Sequence, residues 1–257
     1  MNTYETLKTI VENGICKITI NRPDKLNALN RQTVQEIGMV IKEANEDKSI
    51  SSIIITGEGP KAFAAGADIK EFMGLTKEQG MAMAKAGHDV FQSIEECSKP
   101  VIAAVNGFAL GGGCELAMAC HLRVASDNAK FGQPEVNLGL IPGYGGTQRL
   151  IRYVGRTKGL ELMMTTEMIN AQQALELGLV NYVVPQEVLL TKCIEILNVI
   201  KTKSPFAIGA AIRTVNAYDG TSKGFEAELT EFGKCFASDE IKEGISAFLE
   251  KRKPQFN

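Results

Sequence analysis

The sequence predicts an α/β core over residues 1–200 and, within the same structural unit, a helical region over 201–257. Short β-branched runs recur through the first two-thirds, helical patterns lie between several of them, and the last third keeps only the helical period. The runs are Ile15–Ile20, Ser52–Thr56, Val101–Val105, Leu122–Ala125 and Asn181–Val184. After Asn30, the residues Val34, Ile37, Ile41 and Ala44 step by three and four, which predicts a helix with one apolar stripe. In the last third, Ser204-Pro205 is an N-cap followed by a first-turn proline. Thr221–Phe236 reads as a second helix. Ser238-Asp239-Glu240 opens a third, with Ile241, Ile245, Phe248 and Leu249 on one face and Lys251, Arg252 and Lys253 at its negative end. No linker rich in Pro, Gly or Ser separates independent domains.

Composition excludes several classes of function. Lys+Arg 28 against Asp+Glu 30 leaves a net charge of -2 over 257 residues. That balance provides no basic field, so neither nucleic acid nor a membrane surface is an expected partner. The six cysteines contain no C-x-x-C pair and read as buried thiols of a reducing compartment. The opening MNTYETLKTIVENG lacks an apolar signal segment, and no run approaches the ~18 apolar residues of a membrane span. A cytoplasmic location is expected. With only His88 and His121 present, a multi-histidine metal centre is hard to build, and no metal is expected.

Glycine is the one compositional excess. Average usage predicts about 18 in a chain of this length; there are 25, nine of them between Gly107 and Gly146. Within Lys99–Ser126 (KPVIAAVNGFALGGGCELAMACHLRVAS), a strand leads to Gly111-Gly112-Gly113 and then to an apolar, alanine-rich helix. Glycines at a helix start leave backbone N–H groups open where the dipole favours negative charge, the apparatus that stabilises an oxyanion. One turn in, Glu115 stands among apolar residues, where desolvation raises a carboxyl pKa into the range useful for acid–base work. The pattern equally fits a glutamate that satisfies N-terminal N–H groups in a tightly packed turn. Twenty residues on, Glu135 follows Pro134 in FGQPEVNLGLIPGYGGTQRL. Alone it reads as a solvated loop residue; with Glu115 it makes a two-carboxylate site. Gly143-x-Gly145-Gly146-Thr147 lacks the ending of a phosphate-binding loop and reads as a turn before a helix. Ala64-Ala65-Gly66-Ala67-Asp68 is a small-residue loop that lets a ligand reach backbone. Gly57-Glu58-Gly59 is followed by Pro60 and has no third glycine in register, so a dinucleotide fold fails.

NRPDKLNALN (21–30), KAFAAGADIKEF (61–72), KPVIAAVNGFALGGGCELAMAC (99–120), FGQPEVNLGLIPGYGGTQRL (131–150) and AFLEKRKPQF (247–256) together resemble the enoyl-CoA hydratase/isomerase (crotonase) family, and within it the short-chain hydratases. The resemblance spans essentially the whole chain in order. It implies a spiral of ββα units and a C-terminal helical region that trimerises, commonly as a dimer of trimers. It also implies syn-hydration of a 2-trans-enoyl-CoA in fatty acid and short-chain acyl-CoA metabolism, with coenzyme A as part of the substrate and no separate cofactor. Ala67 and Gly112 match the two backbone donors of the oxyanion hole. Glu115 and Glu135 match the two catalytic glutamates. Asp68, Ile69 and Lys70 match residues along coenzyme A, Ala28 and Ala65 its adenine end, and Lys25 a phosphate contact. Phe248 and Lys251 match positions that contribute from a neighbouring subunit. The segment from Lys70 to Gly87, rich in Met and Gly, is expected to form the acyl-pocket wall. One departure is visible: His121 stands where most relatives carry Asp, and a carbonyl-capping role is expected for it.

The same oxyanion hole serves isomerases and other members of the family, so the fold alone selects no reaction. Both glutamates select a hydratase, which leaves a methylglutaconyl-type substrate open. A different class of reading is a non-catalytic acyl-CoA or RNA binder, and the net charge of -2 weighs against RNA.

Overall fold

The computed structural model describes residues 4–256. Its elements are β1 (Leu7–Glu12), β2 (Ile15–Ile20), α1 (Arg31–Glu46), β3 (Ser52–Gly57), β4 (Ala62–Ala65), α2 (Lys77–Glu95), β5 (Val101–Val105), β6 (Phe108–Leu110), α3 (Gly112–Ala119), β7 (Leu122–Ser126) and β8 (Lys130–Gly132). There follow α4 (Gly146–Val154), α5 (Arg156–Thr165), β9 (Ile169–Asn170), α6 (Ala171–Glu176), β10 (Tyr182–Val184), α7 (Leu189–Lys201), α8 (Pro205–Asn216), α9 (Lys223–Phe236) and α10 (Glu240–Leu249).

All five runs anticipated from β-branched composition are strands, and all five lie in the larger sheet, of order β1-β2-β3-β5-β7-β10. Only β1 is antiparallel there; it joins β2 through Asn13-Gly14, both at positive φ, as a two-residue hairpin turn requires. The parallel strands are covered on both faces, so their side chains divide by parity. Ile53 and Ile55 join the core that includes Ile37, Val40 and Ile41 of α1. Ile54, Ile102 and Val124 join a second cluster with Leu189, Cys193 and Leu197 of α7.

The second sheet, β4-β6-β8-β9, is built from strands of two to four residues. Its pairing reveals the repeat. β3, β5 and β7 are parallel neighbours in the larger sheet, and the strands that follow them, β4, β6 and β8, are parallel neighbours in the smaller one. Each turn of the chain thus adds one strand to both sheets before a helix, which is the spiral of ββα units. The turns of the smaller sheet end where α3 begins and where the 3-10 turn Glu135–Leu138 begins, and this brings the glycine window to one place. The approach is close: an ideal Cβ on Gly113 would lie 1.8 Å from the carbonyl oxygen of Ala64 in β4.

Of the three helices expected in the last third, the first forms as its cap predicts, while α9 and α10 form without a side-chain cap. Ser204 Oγ accepts the N–H of Ala207, and Pro205 opens α8. Arg213 of α8 bonds Glu231 of α9 at 2.6 Å. The apolar stripes of α9 and α10 stay uncovered by this chain: Phe225, Leu229, Phe232 and Phe236 on one, Ile245, Phe248 and Leu249 on the other. Among the described residues, no helix is long and apolar enough to cross a membrane.

Candidate active site

The β4–β6–β8 ends surround a cavity of about 530 Å3. Ala65 lines it from the end of β4, Gly66 and Ala67 from the segment that follows, Gly111, Gly112 and Glu115 from the start of α3, and Glu135 from the turn after β8. Phe72, Leu75, Met81 and Met83 form an apolar wall, so the Lys70–Gly87 segment lines this cavity. Tyr144 closes another side, with its ring edge-on to Phe91 at 5.4 Å.

Two backbone donors lie close together at this cavity. Leu29 donates to Gly66 O and accepts from Asp68 N, in a parallel bridge opposite Ala67. This pairing turns the N–H of Ala67 itself away from Leu29. Gly112 is the first residue of α3, so its N–H has no acceptor within the helix. An ideal Cβ on Gly112 would lie 3.6 Å from Ala67 N, so the two groups are neighbours at the cavity.

Glu115 is 1% exposed. Its Oε1 accepts from Tyr144 N at 2.8 Å and Gly146 N at 2.7 Å. The second donor is the first residue of α4, so the positive end of that helix meets the carboxylate. Glu135 lies at the start of its 3-10 turn, half-buried. The amide of Gln133, 1% exposed and turned with its nitrogen toward Glu135, lies 3.0 and 3.2 Å from the two carboxyl oxygens. Burial pushes both carboxyls up to about 7. For Glu115 the N–H of Gly146 opposes this and the nearby Glu135 adds to it. Near neutral pH the pair therefore holds about one proton, and one group is an acid while the other is a base.

The remaining expected residues are placed less centrally. Ile69 lines the cavity. Asp68 is paired with Arg22 at 3.0 Å, and that hydrogen bond holds its carboxyl below the usual range. Arg22 also donates to the carbonyl of Ala28, so Ala28 and Asp68 are braced by one guanidinium. Lys70 is exposed on the 3-10 turn Ile69–Phe72, and Lys25 is exposed on the turn Pro23–Lys25. Phe248, 82% exposed, and Lys251 lie at the C-terminal end, outside the lining of this cavity. His121 accepts the N–H of Val101 on Nδ1 and faces the carbonyl of Glu95 with Nε2 at 3.1 Å. It caps the end of α2 as a neutral ring, and burial holds its pKa below the ordinary value. Among the described residues, no group of three or more His, Cys, Asp or Glu is placed to hold a metal.

Sequence reasoning missed Arg22, Gln133, Tyr144 and Arg149. The Gly143–Gly146 segment is the turn before a helix that its composition predicts, but it also holds Glu115. The available signal was a run of glycines 28 residues beyond an isolated buried acid (Gly143 after Glu115), and nothing local links the two.

The family model for enoyl-CoA hydratase/isomerase matches residues 11–257. A short-chain-enoyl-CoA hydratase of Clostridium acetobutylicum is 46% identical over 246 residues, 94% of each chain. A crotonyl-CoA hydratase of Syntrophomonas wolfei is 46% identical over 255 residues, 98% of each. The solved structure of an enoyl-CoA hydratase from Bacillus anthracis superposes with a TM-score of 0.91 at 36% identity, covering 98% of this chain and 99% of that one. The fold, the paired carboxyls and these likenesses agree: the chain belongs to the enoyl-CoA hydratase/isomerase family.

Proposed function

We propose that this chain is a lyase that adds water reversibly and syn to a 2-trans-enoyl-CoA thioester, giving the 3-hydroxyacyl-CoA. One observation carries the reading: Glu115 and Glu135, both raised to about 7, line one cavity with the neighbouring N–H groups of Ala67 and Gly112. The thioester oxygen accepts from those two N–H groups. As hydroxide attacks C3, charge moves onto that oxygen as an enolate, and the donors bind it more tightly than the neutral carbonyl; one such donor is typically worth about 10²–10³ in rate. Glu115 takes a proton from the attacking water, and Glu135 delivers one to C2. The water's own proton replaces the one given up, so the pair ends each turnover with the single proton it began with. No cofactor enters beyond the coenzyme A of the substrate.

The names of the two relatives at 46% identity support a short acyl group, and the apolar wall of Phe72, Leu75, Met81 and Met83 supports an unsubstituted aliphatic one. Coenzyme A then runs past Asp68, Ile69 and Lys70, with Ala28 and Ala65 beside the adenine and Lys25 toward the phosphates. The uncovered stripes of α9 and α10 support a homotrimer, or a dimer of trimers, in which Phe248 and Lys251 reach a neighbour's substrate; light scattering tests this. Free cysteines, five of them buried, support a reducing, cytoplasmic location. The decisive assay is loss of the enoyl-thioester absorbance on addition of crotonyl-CoA. No turnover of any enoyl-CoA, or full activity in Glu115→Gln, would refute the reading.

A further inference from the structure

Arg149 lies in α4, 6% exposed, and does not line the cavity. Its Nε and Nη2 donate to one oxygen of Glu95, the last residue of α2, at 3.0 and 2.8 Å. Its Nη1 donates to the carbonyl of Tyr144 at 2.9 Å. The N–H of that same Tyr144 is one of the two groups bound to Glu115 Oε1; the other is the N–H of Gly146. The Tyr144–Gly145 peptide therefore lies between the two peptide units whose N–H groups meet on Glu115, and Arg149 holds its carbonyl. Gly145 makes the arrangement possible, because its φ is +104° and a Cβ there would lie 2.3 Å from Arg149 Nη1.

We propose that Arg149 is a positioning residue for the hydration reaction, acting through the Tyr144 carbonyl to keep both N–H groups on Glu115 Oε1. With Oε1 occupied by two backbone donors, Oε2 is the oxygen left to take the proton of the attacking water. The role rests on the hydratase reading above. Glu95 is part of the device: it anchors the guanidinium to the end of α2, so the 143–146 loop is tied to a helix rather than free to relax. Arg152 also pairs with Glu95, at 3.3 Å, on the more exposed side. The charged groups that act on Glu115 are Glu135 at the cavity and Arg149 from α4, with opposite signs: Glu135 favours the protonated form and Arg149 the ionised one. Without Arg149 the base is both less well placed and held protonated to higher pH. The loss falls on the chemical step, because substrate binding uses other groups.

Arg149→Met, Arg149→Lys and Glu95→Gln, each compared with the parent on crotonyl-CoA from pH 5 to 9 alongside thermal melts, test the assignment. Arg149→Met is expected to lower kcat by about 10–100-fold, the scale of a small misplacement of a reacting group. KM should stay within about threefold, and the acid limb of the kcat profile should move to higher pH. Arg149→Lys should recover most of the pH shift, since it keeps the charge, but only part of kcat, since it lacks the fork. Glu95→Gln should show a smaller loss in the same direction. A lowered Tm with kcat and acid limb unchanged would assign Arg149 to structure alone and overturn the proposal. If Arg149→Met does not fold, unchanged kcat and acid limb in both Arg149→Lys and Glu95→Gln would overturn it. A parent enzyme inactive on every enoyl-CoA would overturn the hydratase reading, and this role with it; an active parent with unaffected variants would overturn the role alone.

Discussion

Glu115→Gln separates the stability of the site from its chemistry. Burial lifts this carboxyl from an ordinary 4.5 to about 7 in the folded chain. A raised folded-state pKa means that the folded protein holds the proton more tightly than the unfolded one. The associated stability is complete below pH 4.5 and is lost as pH rises through about 7. One pH unit over that interval corresponds to about 1.4 kcal/mol, so above pH 7 ionisation of the buried group costs the fold about 3 kcal/mol. Glutamine keeps the shape, still offers an oxygen to the N–H groups of Tyr144 and Gly146, and does not ionise. The variant should therefore be the more stable protein at pH 8, by about 3 kcal/mol, or about 5–6 °C in Tm for a chain of this length. At pH 5 the gain should shrink to under about 1 kcal/mol. Hydration of crotonyl-CoA should fall by at least about 10²–10⁴-fold at the same time. Melts across pH, paired with initial rates, measure both. A variant less stable than the parent at pH 8, or a gain that does not change with pH, would refute the claim that burial of the charge raises this pKa.

Three further outcomes follow from the same geometry. Gly112→Pro removes one N–H at a helix position where proline is tolerated, so kcat/KM should drop by at least about 10²–10³ while Tm moves by only a few degrees. Gly113→Ala sets a Cβ 1.8 Å from the Ala64 carbonyl; the stability loss should be about 3 kcal/mol or more, read by urea denaturation. Gln133→Leu removes the amide that faces Glu135, whose carboxyl should then ionise later; the alkaline limb of the kcat/KM profile should move up by about 1 pH unit.

How much of this was legible in the sequence differs by element. The larger sheet was almost fully visible, because runs such as SIIIT and VIAAV advertise strands buried on both faces. Its edge strand β1 was not, although Asn13-Gly14 between two such stretches is a strong local hairpin signal. The smaller sheet was invisible: a strand of three residues such as Phe108–Leu110 has no period to detect. In α2, the apolar residues Met81, Met83 and Ala84 face the cavity rather than the core, which blurs its amphipathic stripe. The uncovered face of α10 read correctly as a stripe, but a stripe does not say whether its partner lies in the same chain.

What the sequence alone determined were the short-range facts: where strands run, that α3 starts on glycines, and that an acid stands one turn inside it. These depend on backbone dihedrals and on neighbours three or four residues away. Only the tertiary structure decided that Ala67 meets Gly112, that the 143–146 loop donates to Glu115, and that Gln133 faces Glu135. It also decided the two raised pKa values, because desolvation is set by everything that surrounds a carboxyl, most of it remote in the chain. Hydrogen-bond donors converge on a point in space, and the ββα spiral brings that point together from segments that share no local pattern.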